Sequence, residues 1–175
     1  LGSQTWTSIA ASGKEFCGTF DGQGHTIRGL AGDALFGTLG SDGVIKNLTV
    51  DGTITTEKSN VAALVSKMSA NTKLLNCINR ASVTGTSSVA GLVGLTAGNQ
   101  WGTKPVISGC ANFGTITATS YLAAGLAAQH QFANIYNCYN AGTITGKTYA
   151  AGIVNLSYGD VQNCYNVGTL TAEKC

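Results

Sequence analysis

The apolar and polar positions of this chain follow a short alternating pattern that returns several times along the sequence. Four segments align without gaps, each with a cysteine followed by a Thr- or Ser-aliphatic-Thr ending; they are residues 74–84, 107–117, 135–145 and 161–171. A fifth segment, residues 45–55, fits with Leu48 at the cysteine position. The segments are rich in Thr, Val, Ile, Tyr and Gly, which favour short strands separated by turns.

The period of this repeat is typical of a solenoid. Successive markers are separated by 29, 33, 28 and 26 residues, counted between Leu48, Cys77, Cys110, Cys138 and Cys164. A second apolar piece recurs between the markers, at residues 61–64, 89–92, 123–126 and 150–153. The repeats lack the helix formers of a helical repeat and the regularly spaced leucines of a leucine-rich repeat. We therefore predict an all-β fold, a right-handed parallel β-helix of about six coils, with residues 1–175 as a single β-helix domain.

One segment conflicts with this fold by local propensity. Residues 121–131 contain Leu, Ala and Gln in proportions that favour an α-helix. We predict strands there instead, because the segment aligns with the apolar pieces of the neighbouring repeats.

Stacking of successive coils explains the residue types that recur at fixed positions. We predict an interior aliphatic column of Ile54, Val83, Ile116, Ile144 and Leu170. We predict a ladder of side-chain amides from Asn79, Asn112, Asn140 and Asn166. We expect a turn with positive φ at Gly52, Gly114, Gly142 and Gly168, with Ala81 as the exception.

Composition narrows the functional classes. Charged residues make up 10% of the chain, and the net charge of +2 without a Lys/Arg run indicates no nucleic-acid partner. No stretch reaches the roughly 20 apolar residues of a membrane span. The N-terminus does not have the layout of a signal peptide, and we expect the chain to be a fragment of a longer protein.

Several motifs resemble the GLUG-motif repeat family. The opening of that family is similar to residues 16–30, 34–37 and 45–48, and the Asn-Cys-Tyr-Asn units at 137–140 and 163–166 resemble its repeating core. The resemblance covers nearly the whole chain. It implies a β-helical segment of a large secreted or surface-attached bacterial protein, often adhesin-like and sometimes appended to a protease, without catalytic residues in the repeats.

The cysteines invite two interpretations. Four of them share one column, at a spacing between coils that is within disulfide range. We favour a buried column of unbonded thiols, because stacking in register already explains it. No Cys-x-x-Cys pair is present to suggest zinc. Cys17 and Cys175 are expected near opposite ends of the solenoid.

No catalytic site is predicted. The acidic residues fall at different positions of the repeat, so no paired-carboxylate site can be assembled. We expect His25 in a turn, with its side chain tied to the backbone, and His130 in a variable stretch and solvated. We therefore expect no enzyme, no cofactor and no metal.

The recurring Thr-aliphatic-Thr motif predicts two hydroxyl side chains per coil on one face, with the middle residue turned inward. The threonines are Thr53, Thr55, Thr84, Thr115, Thr117, Thr143, Thr145, Thr169 and Thr171. The array resembles the Thr-x-Thr face of β-helical antifreeze proteins. High β-propensity of Thr explains the same residues without ice binding.

Aromatic side chains supply the other binding candidates. The coil between Cys77 and Cys110 carries an insertion at residues 96–105 with Trp101 at its tip. Trp101 either projects to contact a protein or sugar, or folds back over a coil edge. We expect Tyr139 and Tyr165 to face outward on adjacent coils as a small aromatic strip.

These features favour an extracellular or cell-surface module, an adhesin-like or structural stalk that binds a host protein or glycan beside flanking domains of the same polypeptide. The alternatives are an ice-binding protein that uses the Thr face, and an accessory domain of a larger hydrolase or protease.

Overall fold

The computed structural model describes residues 5–11 and 13–173, and it shows a right-handed parallel β-helix of about five turns. The predicted fold class is confirmed. The described residues contain no α-helix, and so none that could cross a membrane.

Strands are numbered in chain order, and in the described residues they form four sheets that run along the solenoid. Sheet 1 contains β1 (Thr19–Asp21), β4 (Val44–Lys46), β8 (Lys73–Leu75), β13 (Val106–Ser108), β18 (Asn134–Tyr136) and β23 (Val161–Gln162). Sheet 2 contains β2 (Thr26–Leu30), β5 (Thr49–Thr55), β9 (Ile78–Asn79), β10 (Ser82–Gly85), β14 (Ala111–Asn112), β15 (Ile116–Ala118), β19 (Tyr139–Asn140), β20 (Ile144–Gly146), β24 (Tyr165–Asn166) and β25 (Leu170–Thr171). Sheet 3 contains β6 (Ser59–Ala62), β11 (Ser87–Ala90), β16 (Leu122–Ala124) and β21 (Tyr149–Ala151). Sheet 4 contains β3 (Phe36–Leu39), β7 (Val65–Ser69), β12 (Val93–Ala97), β17 (Ala127–Gln131) and β22 (Val154–Ser157).

The coils stack in the register that the sequence alignment predicts. Ile107 pairs with Leu74 on one side and with Ile135 on the other, and both pairings are parallel. The six strands of sheet 1 therefore stand one above another, separated by five full turns of chain. Residues 121–131 form β16 and β17, as the alignment predicts against local helix propensity.

The interior is filled by aliphatic columns. Ile54, Val83, Ile116 and Ile144 lie in register and are fully buried. Each such side chain contributes about 1.5–3 kcal/mol through removal from water. Leu170 continues the column above Ile144 but is 44% exposed, because the described chain places no coil beyond it.

Aromatic residues close the N-terminal end. The rings of Phe16 and Phe20 pack on buried Phe36, with centroids 5.1 and 5.4 Å away. The indole N–H of Trp6 donates to the carbonyl of Leu35 at 3.2 Å. These aromatic side chains cover the first coil at the N-terminal end of the described residues.

The predicted asparagine ladder is present and continuous. The amide nitrogen of Asn79 donates to the side-chain oxygen of Asn112 at 2.8 Å, Asn112 donates to Asn140 at 2.7 Å, and Asn140 donates to Asn166 at 2.6 Å. Each amide also makes two local bonds; Asn112 donates to the carbonyl of Gly114 and accepts from its N–H. The ladder thus satisfies the buried amides and ties each coil to the next.

The predicted positive φ is correct for only one of the four aligned glycines. Gly52 has a φ of +151°, whereas Gly114, Gly142 and Gly168 are outside the positive-φ region. Glycine is needed at these three positions because the coils approach closely. A Cβ on Gly142 would lie 2.0 Å from the carbonyl oxygen of Gly114.

Candidate binding surfaces

The Thr-aliphatic-Thr motifs form two registered columns on sheet 2. The second column contains the last threonine of each motif. In it, Thr117 pairs with Thr84 on one side and Thr145 on the other, while Thr55 and Thr171 extend the column. The first column is formed by Thr53, Ser82, Thr115, Thr143 and Thr169. Side chains are about 4.8 Å apart between coils and about 6.7 Å apart along a strand. The face is therefore a regular lattice of hydroxyl and methyl groups.

Tyr139 and Tyr165 form the predicted outward strip, and their rings stack on each other. The ring centroids are 5.2 Å apart with an interplanar angle of 5°. Phe113 meets Tyr139 edge-on at 5.5 Å, and the guanidinium of Arg80 lies 4.8 Å from the Phe113 centroid. Tyr139 is thus covered by Phe113 and Tyr165, whereas Tyr165 is 56% exposed.

Trp101 projects from the solenoid, which decides between the two predicted arrangements. Its side chain is 89% exposed in the loop between β12 and β13. The side-chain oxygen of Asn99 accepts the backbone N–H of Trp101 at 3.0 Å and so holds the loop tip in a turn. The loop joins sheets 4 and 1, whereas Tyr139 and Tyr165 lie on sheet 2, so the structure does not bring the three residues together as one site.

His130 is buried, and the prediction that it is solvated is wrong. Its Nε2 lies 2.7 Å from the carbonyl of Ala133 and its Nδ1 lies 2.8 Å from the hydroxyl of Ser157. The carbonyl can only accept, so Nε2 carries the proton; in the neutral ring, Nδ1 then accepts from the hydroxyl of Ser157, which also lies 3.3 Å from the carbonyl of Gly159. Burial lowers the pKa of His130. His130 is therefore a neutral interior side chain that joins two coils.

His25 lies in a turn, as predicted, but the contact that ties it is made by its main chain. Its backbone N–H donates to the carbonyl of Gly22 at 2.8 Å, and its side chain is exposed.

The cysteine column has the predicted position. The backbone N–H of Cys77 lies 3.3 Å from the sulfur of Cys110, and the N–H of Cys110 lies 3.3 Å from the sulfur of Cys138. These thiols are free, and burial raises the pKa of Cys110 well above its ordinary value. Such a thiol is a poor nucleophile. Cys17 is exposed at the N-terminal end, and Cys175 lies outside the described residues.

Acidic side chains near the surface pair with lysines of the neighbouring coil. Asp21 lies 3.3 Å from Lys46, and Asp33 lies 2.6 Å from Lys58. The backbone N–H of Gln23, followed by the Asn47 amide, lowers the pKa of Asp21. Within the part of the chain that is described, no three His, Cys, Asp or Glu side chains are grouped to hold a metal ion.

One recess was missed by the sequence analysis. It has a volume of about 230 Å³ and is lined by Tyr121, Leu122, Tyr149, Asn155 and Leu156. The rings of Tyr121 and Tyr149 meet edge-on at 5.6 Å, and both are partly exposed. A signal was present, because Tyr121 directly precedes the alanine-rich strand β16 and Tyr149 is the first residue of the alanine-rich strand β21.

The chain is similar to part of halomucin from Haloquadratum walsbyi (strain DSM 16790 / HBSQ001). The two are 32% identical over 149 residues, which covers 69% of this chain and 2% of halomucin. No protein-family model and no solved structure matches the chain. The chain is thus a parallel β-solenoid that resembles a small part of a much larger protein.

Proposed function

We propose that this chain is a non-enzymatic module of a secreted or cell-surface protein, an adhesin-like stalk that offers its side to a host protein or glycan. It works without a cofactor, beside flanking domains of the same polypeptide. The observation that carries the proposal is the strict register of the coils, which makes the described residues a continuous column.

Rigidity along the axis supports the stalk role. Main-chain bonds link each coil to the next, as between the N–H of Ile116 and the carbonyl of Thr143 at 2.9 Å. The asparagine ladder adds a buried side-chain link at each step from Asn79 to Asn166. Solenoids of this kind hold their surfaces at fixed spacing.

Trp101 supports the binding role. An exposed tryptophan held on a short turn is a favoured contact residue, since it buries a large area at little entropic cost. The module would therefore contact its ligand through the loop between β12 and β13.

The comparison and the motifs support the surface location. Halomucin, by its name, is a mucin, and this chain is similar to 2% of it. The GLUG-like motifs of residues 16–48 support the same assignment through their resemblance to surface-attached repeat proteins.

The binding role is tested by screening the parent protein and Trp101→Ala against glycan and host-protein arrays. Tyr158→Ala is the matched control, because the Tyr158 side chain is also exposed (62%) and lies outside the Trp101 loop. We expect a ligand of the parent to be lost with Trp101→Ala and kept with Tyr158→Ala. A parent that binds nothing, or equal loss with both variants, would contradict the binding role.

The surface location needs a separate measurement. An antibody against residues 98–105 is expected to label intact cells of the source organism as strongly as permeabilised cells. Labelling that requires permeabilisation would contradict the location.

Ice binding is a second candidate function, and the register of the two Thr columns favours it. Thr117→Lys and Thr145→Lys would each break the lattice with a bulky charge, whereas Thr103→Lys in the exposed loop would not. We expect thermal hysteresis to disappear with the first two substitutions and to persist with the third. Absence of hysteresis in the parent protein would reject this function.

A further inference from the structure

Two recesses lie along the outer corner between sheets 3 and 4, and we refer to the two together as the groove. One wall is a registered column on sheet 4 that comprises Thr38, Lys67, Leu95, Gln129 and Leu156. The other wall is a registered column on sheet 3 that comprises Asn60, Ser88, Leu122 and Tyr149. The register follows from the pairs Val89–Ala123 and Leu122–Tyr149. The amide nitrogen of Gln129 donates to the hydroxyl of Ser88 at 2.7 Å and separates the two recesses.

The N-terminal recess has a volume of about 280 Å³ and is lined by both polar and apolar side chains. Asn60 and Lys67 line it, together with the ion pair of Asp33 and Lys58. Because Asp33 already neutralises Lys58, the Lys67 ammonium leaves the recess with a net positive charge. Hydroxyl groups of Ser8, Thr38, Ser59 and Ser66 complete its polar lining.

The C-terminal half of the groove is the aromatic recess of Tyr121, Tyr149 and Leu156. Tyr121 is 44% exposed, Tyr149 38% and Leu156 49%. In an edge-on pair of rings, the edge of one meets the face of the other, so ring faces are left uncovered. Such a recess accepts the apolar face of a ring-shaped ligand.

We propose that this groove binds a linear acidic oligosaccharide. A saccharide ring combines hydroxyl groups for the Ser59 and Ser66 hydroxyls, a C–H face for Tyr149 and, in a uronic acid, a carboxylate for Lys67. Lys67 and Leu156 are three coil steps apart, about 14 Å, so the ligand must be an extended chain. The binding site goes beyond the stalk role and does not include the Trp101 loop.

An extended peptide fits this groove less well than a saccharide. Peptides commonly bind to sheets by adding a strand to a free edge. The strands along the middle of the groove, β11, β12, β16 and β17, are paired on both sides. The groove therefore has no free strand edge there and offers side chains alone.

Calorimetric titration with hyaluronan oligosaccharides tests the proposal, and chitin oligosaccharides provide the uncharged comparison. We expect Tyr149→Ala and Lys67→Gln each to weaken hyaluronan binding about tenfold or more. The matched controls are Tyr158→Ala, an exposed tyrosine outside both recesses, and Lys73→Gln, an exposed lysine on sheet 1. Both controls should bind like the parent, and Lys67→Gln should bring the affinity down to that for chitin oligosaccharides.

Three results would overturn the proposal: no binding of hyaluronan oligosaccharides by the parent, equal loss with the control variants, or tighter binding of extended peptides of the same length. Circular dichroism confirms that each variant is folded. Trp101→Ala separates this proposal from the stalk role, because it should leave groove binding unchanged whatever it does to host binding.

Discussion

At the scale of single residues, the interior of this solenoid is held by polar side chains that satisfy one another as much as by apolar ones. Asn112 is fully buried, yet its amide has partners in Asn79, Asn140 and Gly114. The asparagine ladder could be predicted because the same residue returns in four aligned segments. Its energetic role follows from burial, which makes every unpaired amide costly.

Removing one member of the ladder should be far more costly inside the stack than at its end. Asn112→Ala removes the donor to Asn140 and the acceptor for Asn79, and we expect it to lower the free energy of unfolding by about 3 kcal/mol or more. Asn166→Ala is the matched control, because that residue is exposed and makes a single ladder bond; we expect a loss of about 1 kcal/mol. Urea unfolding measures both. Equal losses would contradict the ladder's role.

His130 should make stability depend on pH. Its pKa in the folded state is lowered from the ordinary value of 6.5, so the neutral ring is the folded form. The stabilisation of the folded state by the neutral His130 ring is therefore complete above about pH 6.5, and it is lost as the pH falls through the lower folded-state pKa. We expect urea midpoints to fall on acidification below that pH.

Two variants test this assignment. His130→Gln should flatten the pH dependence, whereas His25→Gln, at an exposed histidine, should keep it. If the pH dependence is still present in His130→Gln, the assignment to His130 is wrong.

At the scale of strands and turns, positions that repeat in sequence could be predicted, and positions that vary could not. The residues level with His130 on the other coils of sheet 4 are Leu39, Met68, Thr96 and Ser157, which share no single chemistry. The sequence therefore does not predict that the His130 side chain points into the interior; the strand pairing shows it. The groove was missed for a related reason, since its two walls come from strands that meet at an angle the sequence does not state.

The close approach of coils at the aligned glycines can be tested directly. Gly142→Ala places a methyl group against the carbonyl of Gly114, and we expect a loss of about 2 kcal/mol or more from the free energy of unfolding. Gly102→Ala is the control, because the nearest atom to a Cβ there is 3.3 Å away in the Trp101 loop. Thermal unfolding compares the two variants. An unaffected Gly142→Ala would show that the coils are further apart than described.

At the scale of the whole molecule, the two ends differ. Phe16 and Phe20 cover the N-terminal coil, whereas Val167 and Leu170 on the last described coil are 70% and 44% exposed. In a solenoid, each coil is stabilised by its neighbours, so a coil with a single neighbour is the weakest. In the isolated 175-residue polypeptide, the column should therefore open first at residues 161–171.

Hydrogen exchange measured by mass spectrometry can detect this gradient. We expect amides of residues 161–171 to exchange much faster than those of residues 107–118, which lie between two coils on each side. Uniform protection along the column, or faster exchange in the middle, would contradict this order of opening.

Registered stacking is the claim on which the stalk, the Thr lattice and the groove all depend. Scalar couplings across hydrogen bonds, measured by NMR, identify which amide donates to which carbonyl. The structure predicts that the amide nitrogen of Ile116 couples to the carbonyl carbon of Thr143, and that of Ile144 to the carbonyl carbon of Thr169. Couplings from these amides to residues of their own coil, or to a partner displaced by one position, would contradict it.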